Sequence, residues 1–388
     1  MAHKDRAHAA LSASGSKRWM ACTPSAKLEA LFPEIASTYA EEGTRAHEIA
    51  EKAILARLEA RGDLVLEDPD DQRIKGEVAP YVDYVISLYE KLKKEESDTV
   101  LFLETRVDFS NYVPAGFGTA DTIIMSGDTL YLIDLKFGAG VIVEAEDNPQ
   151  LELYSLGAIN EFGDLYDFEK VIMQICQPRT SGKMVSEQTK TVDQLKVWGK
   201  EVVRPKAAEA FAGSGTYVPG EHCRFCKAAA VCKARLKKYS AITALQDMKP
   251  KELAGNGSLA MVIREKENIE RWLKDVAAFA LSEMKSGVKI DGLKLVAGRS
   301  STTCKDDEAL VKRLHDEGIE DALIWKPKEL LSRTELKKIV DKDIWKSIEK
   351  DLYETTQGAP KIDKAESKKK EWVAQETNDF EGVDLEAF

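Results

Sequence analysis

The sequence lacks any long apolar run. None of its stretches approaches the roughly 18 consecutive apolar residues that a membrane-spanning helix needs. Its beginning, M-A-H-K-D-R-A-H, is charged and has no apolar region of the kind that a secretory signal carries. We therefore expect a cytoplasmic protein that makes no contact with a membrane.

The Walker motif G-x-x-x-x-G-K-[ST] is also missing, so this chain is not expected to be an ATP-driven motor by itself. An excess of positive charge is missing too, because 56 lysines and arginines stand against 67 aspartates and glutamates, a net charge of −11. Proteins that coat nucleic acid are usually basic, which argues against that class. The charge still allows an enzyme that binds DNA in a narrow groove beside a carboxylate-rich metal site.

The remaining composition is that of an ordinary globular chain, with 43% hydrophobic and 32% charged residues. A length of 388 residues suits one large domain with an appendage. After about Tyr239 the sequence pattern changes to charged helices, so we place a first domain at 1–240. A helical or α+β region of unknown role is expected at 241–365, and a charged, flexible tail at 366–388.

The end of the chain is acidic, since residues 371–388 hold six acidic and no basic side chains. Four apolar residues are interleaved with them: Phe380, Val383, Leu385 and Phe388. Such a tail suits docking to a single-strand-binding or annealing protein with a basic rim around an apolar groove. The alternative is a solvated, disordered end.

Hydrophobic periodicity divides the first domain into helices and strands. It predicts helices at 41–60, 81–94 and 192–211, a further helix that begins at Asn148-Pro149, and a polar stretch at 63–75. It predicts strands at 100–107, 117–125, 129–136, 141–144 and 170–176. This order indicates an α/β fold with a central mixed sheet flanked by helices, followed by the α+β appendage, in which Asp291-Gly292 marks a hairpin.

The most informative stretch is G-T-A-D-T-I-I-M-S-G-D-T-L-Y-L-I-D-L-K, residues 118–136. Its Gly127-Asp128 pair suits a two-residue type II′ turn, which takes glycine first. We therefore predict a hairpin in which Ser126 pairs with Thr129. Each residue further back from Ser126 then pairs with the residue equally far beyond Thr129.

That register brings two carboxylates together, because it places Asp121 directly opposite Asp134 on one face of the sheet. Lys136, two residues beyond Asp134, points to the same face. Facing carboxylates among apolar strand residues repel each other unless a cation lies between them. Oxygen ligands favour Mg²⁺ or Mn²⁺, and with a nearby ammonium they suit phosphodiester hydrolysis. The alternative is an exposed hairpin with solvated side chains.

These residues resemble the RecB-type branch of the PD-(D/E)XK nucleases. In that branch an Asp on one strand is followed by Asp-x-Lys on the next and by Gln-x-x-x-Tyr on the following helix, here Asp121, Asp134-Leu135-Lys136 and Gln150-Leu151-Glu152-Leu153-Tyr154. The segment 43–48, G-T-R-A-H-E, resembles the upstream helix of the branch, which carries a metal-binding histidine. The whole chain also resembles an uncharacterised family of phages and prophages, with the strings D-L-K-F-G-A-G and N-P-Q-L-E-L-Y.

The resemblance implies that the metal ligands are His47, Asp121, Asp134 and the backbone carbonyl of Leu135. It implies that Lys136 is catalytic, and that Gln150 and Tyr154 line the site and position the DNA. From the residues alone, a single histidine on a helix is more often structural, and His47 would be a buried core histidine on the face of Ala50, Ile54 and Leu58. By the same reasoning, Gln150 would be helix surface and Tyr154 a core residue. Glu104 is either an extra acidic ligand or a charged strand position, whereas Glu144 and Glu146 look solvated.

A cysteine cluster follows the last predicted helix, with the pattern Cys223-x-x-Cys226-x5-Cys232. In a cytosolic protein such a cluster suggests metal ligation rather than disulfides. Three cysteines leave a tetrahedral site one ligand short, and His222 is awkwardly placed to complete it. Cys176 and Cys304 fit no site and are expected to be ordinary small apolar residues.

Iron–sulfur nucleases of the RecB-like group pair one N-terminal cysteine with three that follow the nuclease core. The segment 12–22 resembles that N-terminal part, so the resemblance implies a [4Fe–4S] cluster on Cys22, Cys223, Cys226 and Cys232, with zinc as the alternative. We expect a Mg²⁺- or Mn²⁺-dependent deoxyribonuclease, an exonuclease of phage-type recombination or end processing. The alternatives are a nuclease subunit that acts only within a complex, and a non-catalytic DNA-binding or scaffold subunit.

Overall fold

The structure is a computed structural model that describes residues 9–32, 38–59, 64–240 and 256–294, together with positions 312, 315, 316, 338, 342, 345 and 346. The chain divides into two compact units, residues 1–280 and 281–388. The predicted boundaries after 240 and 365 adjoin residues outside the described part and stay predictions. The acidic tail and Cys304 also lie outside the described residues.

A five-stranded mixed sheet forms the centre of the first unit, in the order β1-β2-β3-β4-β5. The strands are β1 Val100–Asp108, β2 Phe117–Ser126, β3 Thr129–Leu135, β4 Lys170–Cys176 and β5 Val185–Thr191. All neighbouring pairs are antiparallel except β3 and β4, which are parallel. A parallel pair needs a long crossover, and a helix between β3 and β4 provides it.

Helices cover both faces of this sheet. The helices of the described residues are α1 Ser16–Ala21, α2 Ser25–Glu29, α3 Thr38–Leu58, α4 Pro69–Glu95, α5 Pro149–Phe162, α6 Val192–Trp198, α7 Arg204–Ala212, α8 Lys233–Ser240 and α9 Asn256–Lys285. A π-helical segment, Gly199–Val203, joins α6 to α7. Within the described ranges, none of these helices is long and apolar enough to cross a membrane. The prediction of a mixed α/β fold with flanking helices is confirmed.

Two clusters of apolar side chains pack against opposite faces of the sheet. On one face, α5, α6 and α7 cover Ile123, Met125, Leu130, Leu132, Val171 and Met173. On the other face, α3 and α4 cover Ile124, Ile133, Leu135 and Cys176. The alternation of side chains along β2 and β3 therefore fills both cores and fixes the register of the hairpin between them.

The hairpin has the predicted register, because Ser126 pairs with Thr129 and the following pairs keep this register as far as Thr122 and Ile133. Gly127 has a φ of +56°, as the first position of a type II′ turn requires. The helix predicted at Asn148-Pro149 also begins there, with the Asn148 side chain accepting a hydrogen bond from the backbone of Gln150.

Two local predictions are wrong, and one strand is present that was not predicted. Residues 141–144 form no strand, because the Val143 amide donates to the side chain of Gln177 instead of to a neighbouring strand. Helix α4 begins at Pro69, inside the predicted polar stretch, since Asp68 caps its first turn. Strand β5 was not predicted, because its sequence V-S-E-Q-T-K-T has little apolar alternation and lies at the sheet edge.

Candidate metal centre

The ladder between β1 and β2 is interrupted at one position, where Glu104 lies opposite Asp121. Pairing is regular on either side, at Leu103–Thr122 and Thr105–Ala120. Glu104 has a φ of +45°, a left-handed conformation that non-glycine residues rarely adopt. Residues held in this way cost free energy and concentrate at functional sites.

The interruption changes which face of the sheet the side chains reach. Before it, Leu101 and Leu103 of β1 pack with the α3–α4 cluster, whereas Val107 beyond it packs with the α5 cluster. A regular strand would keep these three odd-numbered residues on one face. At this irregular position the Glu104 and Asp121 side chains do not follow the alternation of the strands between the two faces. Their carboxylates reach α3 instead.

His47 on α3 meets both carboxylates. Its Nδ1 lies 3.3 Å from Oδ1 of Asp121 and 3.6 Å from Oε1 of Glu104. Burial alone disfavours the protonated imidazole, but the charges of Asp121 and Glu104 outweigh it and raise the pKa of His47 to about 10. The imidazolium proton thus offsets the negative charge that these two carboxylates concentrate in a largely buried place.

The ligand atoms of His47, Glu104 and Asp121 all lie within 4.8 Å of one another. Around a cation with metal–ligand distances of about 2.1 Å, ligand atoms are roughly 3 to 4 Å apart. The side chains are 22%, 5% and 11% exposed, so these donors need little desolvation to hold an ion. Their chemistry and spacing therefore fit one divalent cation, such as Mg²⁺ or Mn²⁺.

Asp121 is held by the next strand as well. Its Oδ2 accepts a hydrogen bond of 2.7 Å from the backbone amide of Leu135, which leaves Oδ1 facing His47. Leu135 lines the same small cavity as His47, Glu104 and Asp121. The backbone at Leu135 is therefore close to the candidate ligands through its amide, and the role of its carbonyl stays a prediction.

Asp134 belongs to a neighbouring polar group on the α5 face of the sheet. It is 2% exposed, and the Nζ of Lys136 lies 2.8 Å from its Oδ2. Burial is the main cause that raises the pKa of Asp134 to about 6; Lys136 opposes this effect and the charge of Asp121 adds to it. The charge of Asp121 thus connects the His47–Glu104–Asp121 group electrostatically with Asp134.

Gln150 connects the ends of this ion pair. Its Nε2 donates to Oδ1 of Asp134 and its Oε1 accepts from Nζ of Lys136, both at 2.9 Å. Only this orientation of the amide satisfies both partners, because the carboxylate can only accept and the ammonium can only donate. Gln150 therefore contacts both Asp134 and Lys136, and its role in positioning DNA stays a prediction.

Tyr154, one turn further along α5, is 8% exposed and lies in the apolar cluster. Its ring packs against Gly118 on β2, where a Cβ would come within 2.6 Å of ring carbon Cε1. Burial, and then the charges of Asp134 and Asp121, raise the pKa of Tyr154, so its hydroxyl stays protonated. Tyr154 is therefore part of the apolar core beneath Asp134 and Gln150.

The candidate site differs in one respect from the set of ligands that the sequence implied. The group that meets within 4.8 Å contains Glu104 and leaves Asp134 with Lys136 and Gln150. The β2–β3 ladder ends at Thr122–Ile133, one position before the predicted Asp121–Asp134 pair. In the sequence, Glu104 is marked only as the charged residue that follows the apolar run 100–103.

The four predicted cysteines line a second cavity. Cys22 follows α1, Cys223 and Cys226 lie in and after a 3₁₀ turn at Glu221–Phe225, and Cys232 precedes α8. Backbone amides approach two of the sulfurs: Val218 N lies 3.5 Å from Sγ of Cys22, and Gly220 N lies 3.4 Å from Sγ of Cys223. The structure therefore brings together residues about 200 positions apart in sequence.

The chemistry of these four cysteines can be compared with that of a metal site. Burial raises the pKa of Cys226 to about 12, so without a cation its sulfur stays protonated. Four sulfur donors with amide hydrogens directed at two of them fit either zinc or an iron–sulfur cluster. Cys176 lies apart from this cavity, buried in β4, and burial raises the pKa of its thiol to about 12 as well.

Hydrogen bonds also join the N-terminal segment to the cysteine region. Thr23 Oγ1 donates to the carbonyl of Ser214 at 2.9 Å, and Lys206 Nζ donates to the carbonyl of Met20 at 2.8 Å. The Glu29 carboxylate accepts a hydrogen bond from the backbone amide of Lys227 at 2.8 Å. The two ends of this domain are therefore in contact through ordinary polar interactions as well as through the cysteines.

Comparison with known proteins finds a family and several solved structures that this chain resembles. The family model described as "Protein of unknown function (DUF2800)" matches residues 8–370. A solved structure titled "Crystal structure of SSO0001" is 16% identical in sequence, and the alignment covers 48% of this chain and 95% of that chain with a TM-score of 0.23. The family match spans both the carboxylate site and the cysteine site.

Proposed function

Since the chain belongs to the DUF2800 family, whose description names no activity, we propose a function from its carboxylate site: metal-dependent hydrolysis of phosphodiester bonds in DNA. The observation that carries the proposal is the meeting of His47, Glu104 and Asp121 beside the Asp134–Lys136 ion pair. A divalent-cation site next to a buried carboxylate and an ammonium is the arrangement that this reaction needs.

We further propose that the nuclease core is of the PD-(D/E)XK type and its RecB-like branch. Three sequence motifs of that branch occur here in the expected order, and they fall on β2, β3 and α5. Gln150 contacts both residues of the Asp-x-Lys motif, which gives the Gln-x-x-x-Tyr motif a physical reason for its position. A shared fold alone would not carry the activity, so the proposal depends on these side-chain contacts.

The residues would divide the work as follows. His47, Glu104 and Asp121 would hold the cation, and Asp134 lies near enough to take part through its charge. A bound Mg²⁺ or Mn²⁺ would polarise the phosphate and lower the pKa of an attacking water. The Lys136 ammonium would orient that water or stabilise the negative charge that develops on the phosphate.

The electrostatics of Asp134 and Lys136 support this division. Burial disfavours the ammonium, but Asp134 and then Asp121 more than compensate and raise the pKa of Lys136. Lys136 therefore stays charged at neutral pH and suits the stabilisation of charge rather than the removal of a proton. Gln150 fixes the positions of both groups, which spares the reaction the cost of reorganising them.

The resemblance supports DNA as the substrate and exonucleolytic end processing, of the kind found in phage-type recombination. For the cysteines, we propose one structural metal group, a [4Fe–4S] cluster by the same resemblance or a zinc ion by ligand chemistry. Neither the carboxylate site nor Lys136 requires an electron. The cysteine site would therefore contribute to folding rather than to the chemical step.

A cleavage assay tests the proposal. Protein purified without oxygen is incubated with end-labelled linear duplex, single-stranded and closed circular DNA, in Mg²⁺, in Mn²⁺ or in excess chelator. We expect degradation of linear DNA in either metal, survival of the closed circle, and no reaction in chelator. DNA binding without cleavage in both metals would contradict the proposal and favour a non-catalytic DNA-binding or scaffold subunit.

A further inference from the structure

Arg235 is a buried arginine at the edge of the four-cysteine cavity. It lies on α8, three residues after Cys232, and is 2% exposed. Its side chain lines the same cavity as the four cysteines. A guanidinium is rarely buried so completely unless its charge and its hydrogens have partners.

Part of this requirement is met by protein groups. Nη1 donates to the carbonyl of Ala229 at 3.1 Å and to Oδ2 of Asp275 at 2.7 Å. The Nε–H is buried and has no acceptor among the described residues. A buried donor on a charged group that lacks an acceptor is costly, so a native site usually supplies one.

We propose that Arg235 Nε–H donates a hydrogen bond to a sulfur of the four-cysteine site when that site holds its metal group, and that Arg235 thereby couples metal binding to the packing of α9. The inference rests on the cysteine site proposed above and not on the nuclease activity. Arg235 is a positioning residue in this scheme, because it acts through the cysteine sulfurs.

Charge explains why the acceptor would be a metal-bound sulfur. Four thiolates around a divalent ion carry a net charge of about −2, and four thiolates around an iron–sulfur cluster are likewise anionic. Thiols that remain protonated are weak acceptors by comparison. Amides of Val218 and Gly220 already approach the sulfurs of Cys22 and Cys223, and Arg235 would add a charged donor from another direction.

The connection to α9 runs through Asp275. This residue lies on α9 and receives the Nη1 hydrogen bond of Arg235, so a single guanidinium spans the distance from the cavity to the helix. Tyr239 and Trp272 pack nearby with ring centroids 5.6 Å apart. Loss of the metal group would remove one partner of Arg235 and loosen its contact with α9.

The test compares Arg235→Lys with Lys238→Gln in the full-length protein as purified without oxygen. Arg235→Lys keeps the charge but loses the Nε–H and the planar fork. Lys238→Gln is the matched control, because it removes another α8–α9 ion pair, the 3.0 Å contact with Glu265, whose residues do not line the cavity. Metal analysis first identifies iron or zinc, and the readouts are the rate of metal release to a chelator and hydrogen exchange over 264–280.

We expect Arg235→Lys to release its metal roughly 10- to 100-fold faster than wild type, as loss of a partner around a metal site commonly does. Lys238→Gln should release it at the wild-type rate. Removing the metal from wild type should raise hydrogen exchange over 264–280, and Arg235→Lys should show raised exchange before removal. If Arg235→Lys fails to fold, Asp275→Asn replaces it and should show the same raised exchange.

Three results would overturn the inference. The first is metal release by Arg235→Lys within about twofold of wild type, or, where Asp275→Asn replaces it, hydrogen exchange over 264–280 equal to that of wild type. The second is hydrogen exchange over 264–280 that does not respond to metal removal. The third is protein that carries neither iron nor zinc at its cysteines. DNA cleavage is not a readout here, so an inactive nuclease that still passes these tests would refute the proposed function and leave this inference standing.

Discussion

The side-chain amide of Gln150 donates a 2.9 Å hydrogen bond to the carboxylate of Asp134. Through its oxygen the same amide accepts from the ammonium of Lys136, so a residue near the start of α5 orients both charged groups on or just beyond β3. Asp134 is buried, and its position depends on few other polar partners. The Asp-x-Lys and Gln-x-x-x-Tyr motifs, which are separate in the sequence, are thus joined by hydrogen bonds in the structure.

Removal of this amide should weaken catalysis without unfolding the protein. In Gln150→Ala, Asp134 and Lys136 lose their common partner, and we expect the kcat/KM for Mn²⁺-dependent DNA cleavage to fall by about 10- to 100-fold. Gln72→Ala, an exposed change on α4, is the control and should leave cleavage unchanged. A wild-type kcat/KM in Gln150→Ala would refute the positioning role.

Glu104 should contribute to the affinity for the divalent cation. We expect Glu104→Gln and His47→Ala each to weaken Mn²⁺ binding at least tenfold in calorimetric titration, because each removes one of three converging ligands. Glu161→Gln, an exposed change on α5, should bind like wild type. Unchanged affinity in Glu104→Gln would mean that this glutamate is only a charged strand residue.

Gly118 should be intolerant of a methyl group. In Gly118→Ala the new Cβ would lie 2.6 Å from the ring of Tyr154, so α5 or the ring must move. We expect the free energy of unfolding to fall by about 1–3 kcal/mol, with a loss of cleavage. Gly76→Ala on α4 meets no atom within 4 Å, so it should raise the free energy of unfolding by up to about 1 kcal/mol. Chemical denaturation measures both, and equal stabilities would contradict the packing argument.

Cys22 should be needed for both the metal group and stability. Cys22→Ala removes the proposed ligand that would join the N-terminal segment to three cysteines about 200 residues away. By the loop-entropy argument we expect loss of the metal and a fall of about 2–5 kcal/mol in the free energy of unfolding. Cys176→Ala, in the buried strand β4, should keep the metal. A brown protein with about four irons per chain supports the cluster. One stoichiometric zinc would mean that zinc, and not iron, joins Cys22 to the three later cysteines.

Much of the first unit could be predicted because its signals are local. The Gly127-Asp128 turn fixes the hairpin register, and Asn148-Pro149 fixes the start of α5. Edge strand β5 could not be predicted in the same way, because its polar residues carry no hydrophobic period and its pairing with β4 sets its conformation. These residues form a strand because they pair with β4, which the local sequence of β5 does not reveal.

The details of the site depended on a feature that no residue pattern encodes. The predicted alternation places Asp121 on the face of Asp134, yet its carboxylate contacts His47 and the amide of Leu135. The cause is the interruption opposite Glu104, where a left-handed backbone breaks the period of two. A sequence pattern assumes a regular strand, and the candidate metal centre lies where the strand is not regular.

The most direct test of the central claim is the rate of Mn²⁺-dependent degradation of linear DNA by wild type, Asp121→Asn, Asp134→Asn and Lys136→Ala. The matched control is Asp128→Asn in the same hairpin, whose side chain is 52% exposed. We predict a loss of at least about 10³-fold in the first three variants and none in the control. Because Asp134→Asn relieves a buried charge near Asp121, its melting temperature without metal should equal or exceed that of wild type. Wild-type cleavage by Asp134→Asn, or no metal-dependent cleavage by the wild-type protein, would contradict the account.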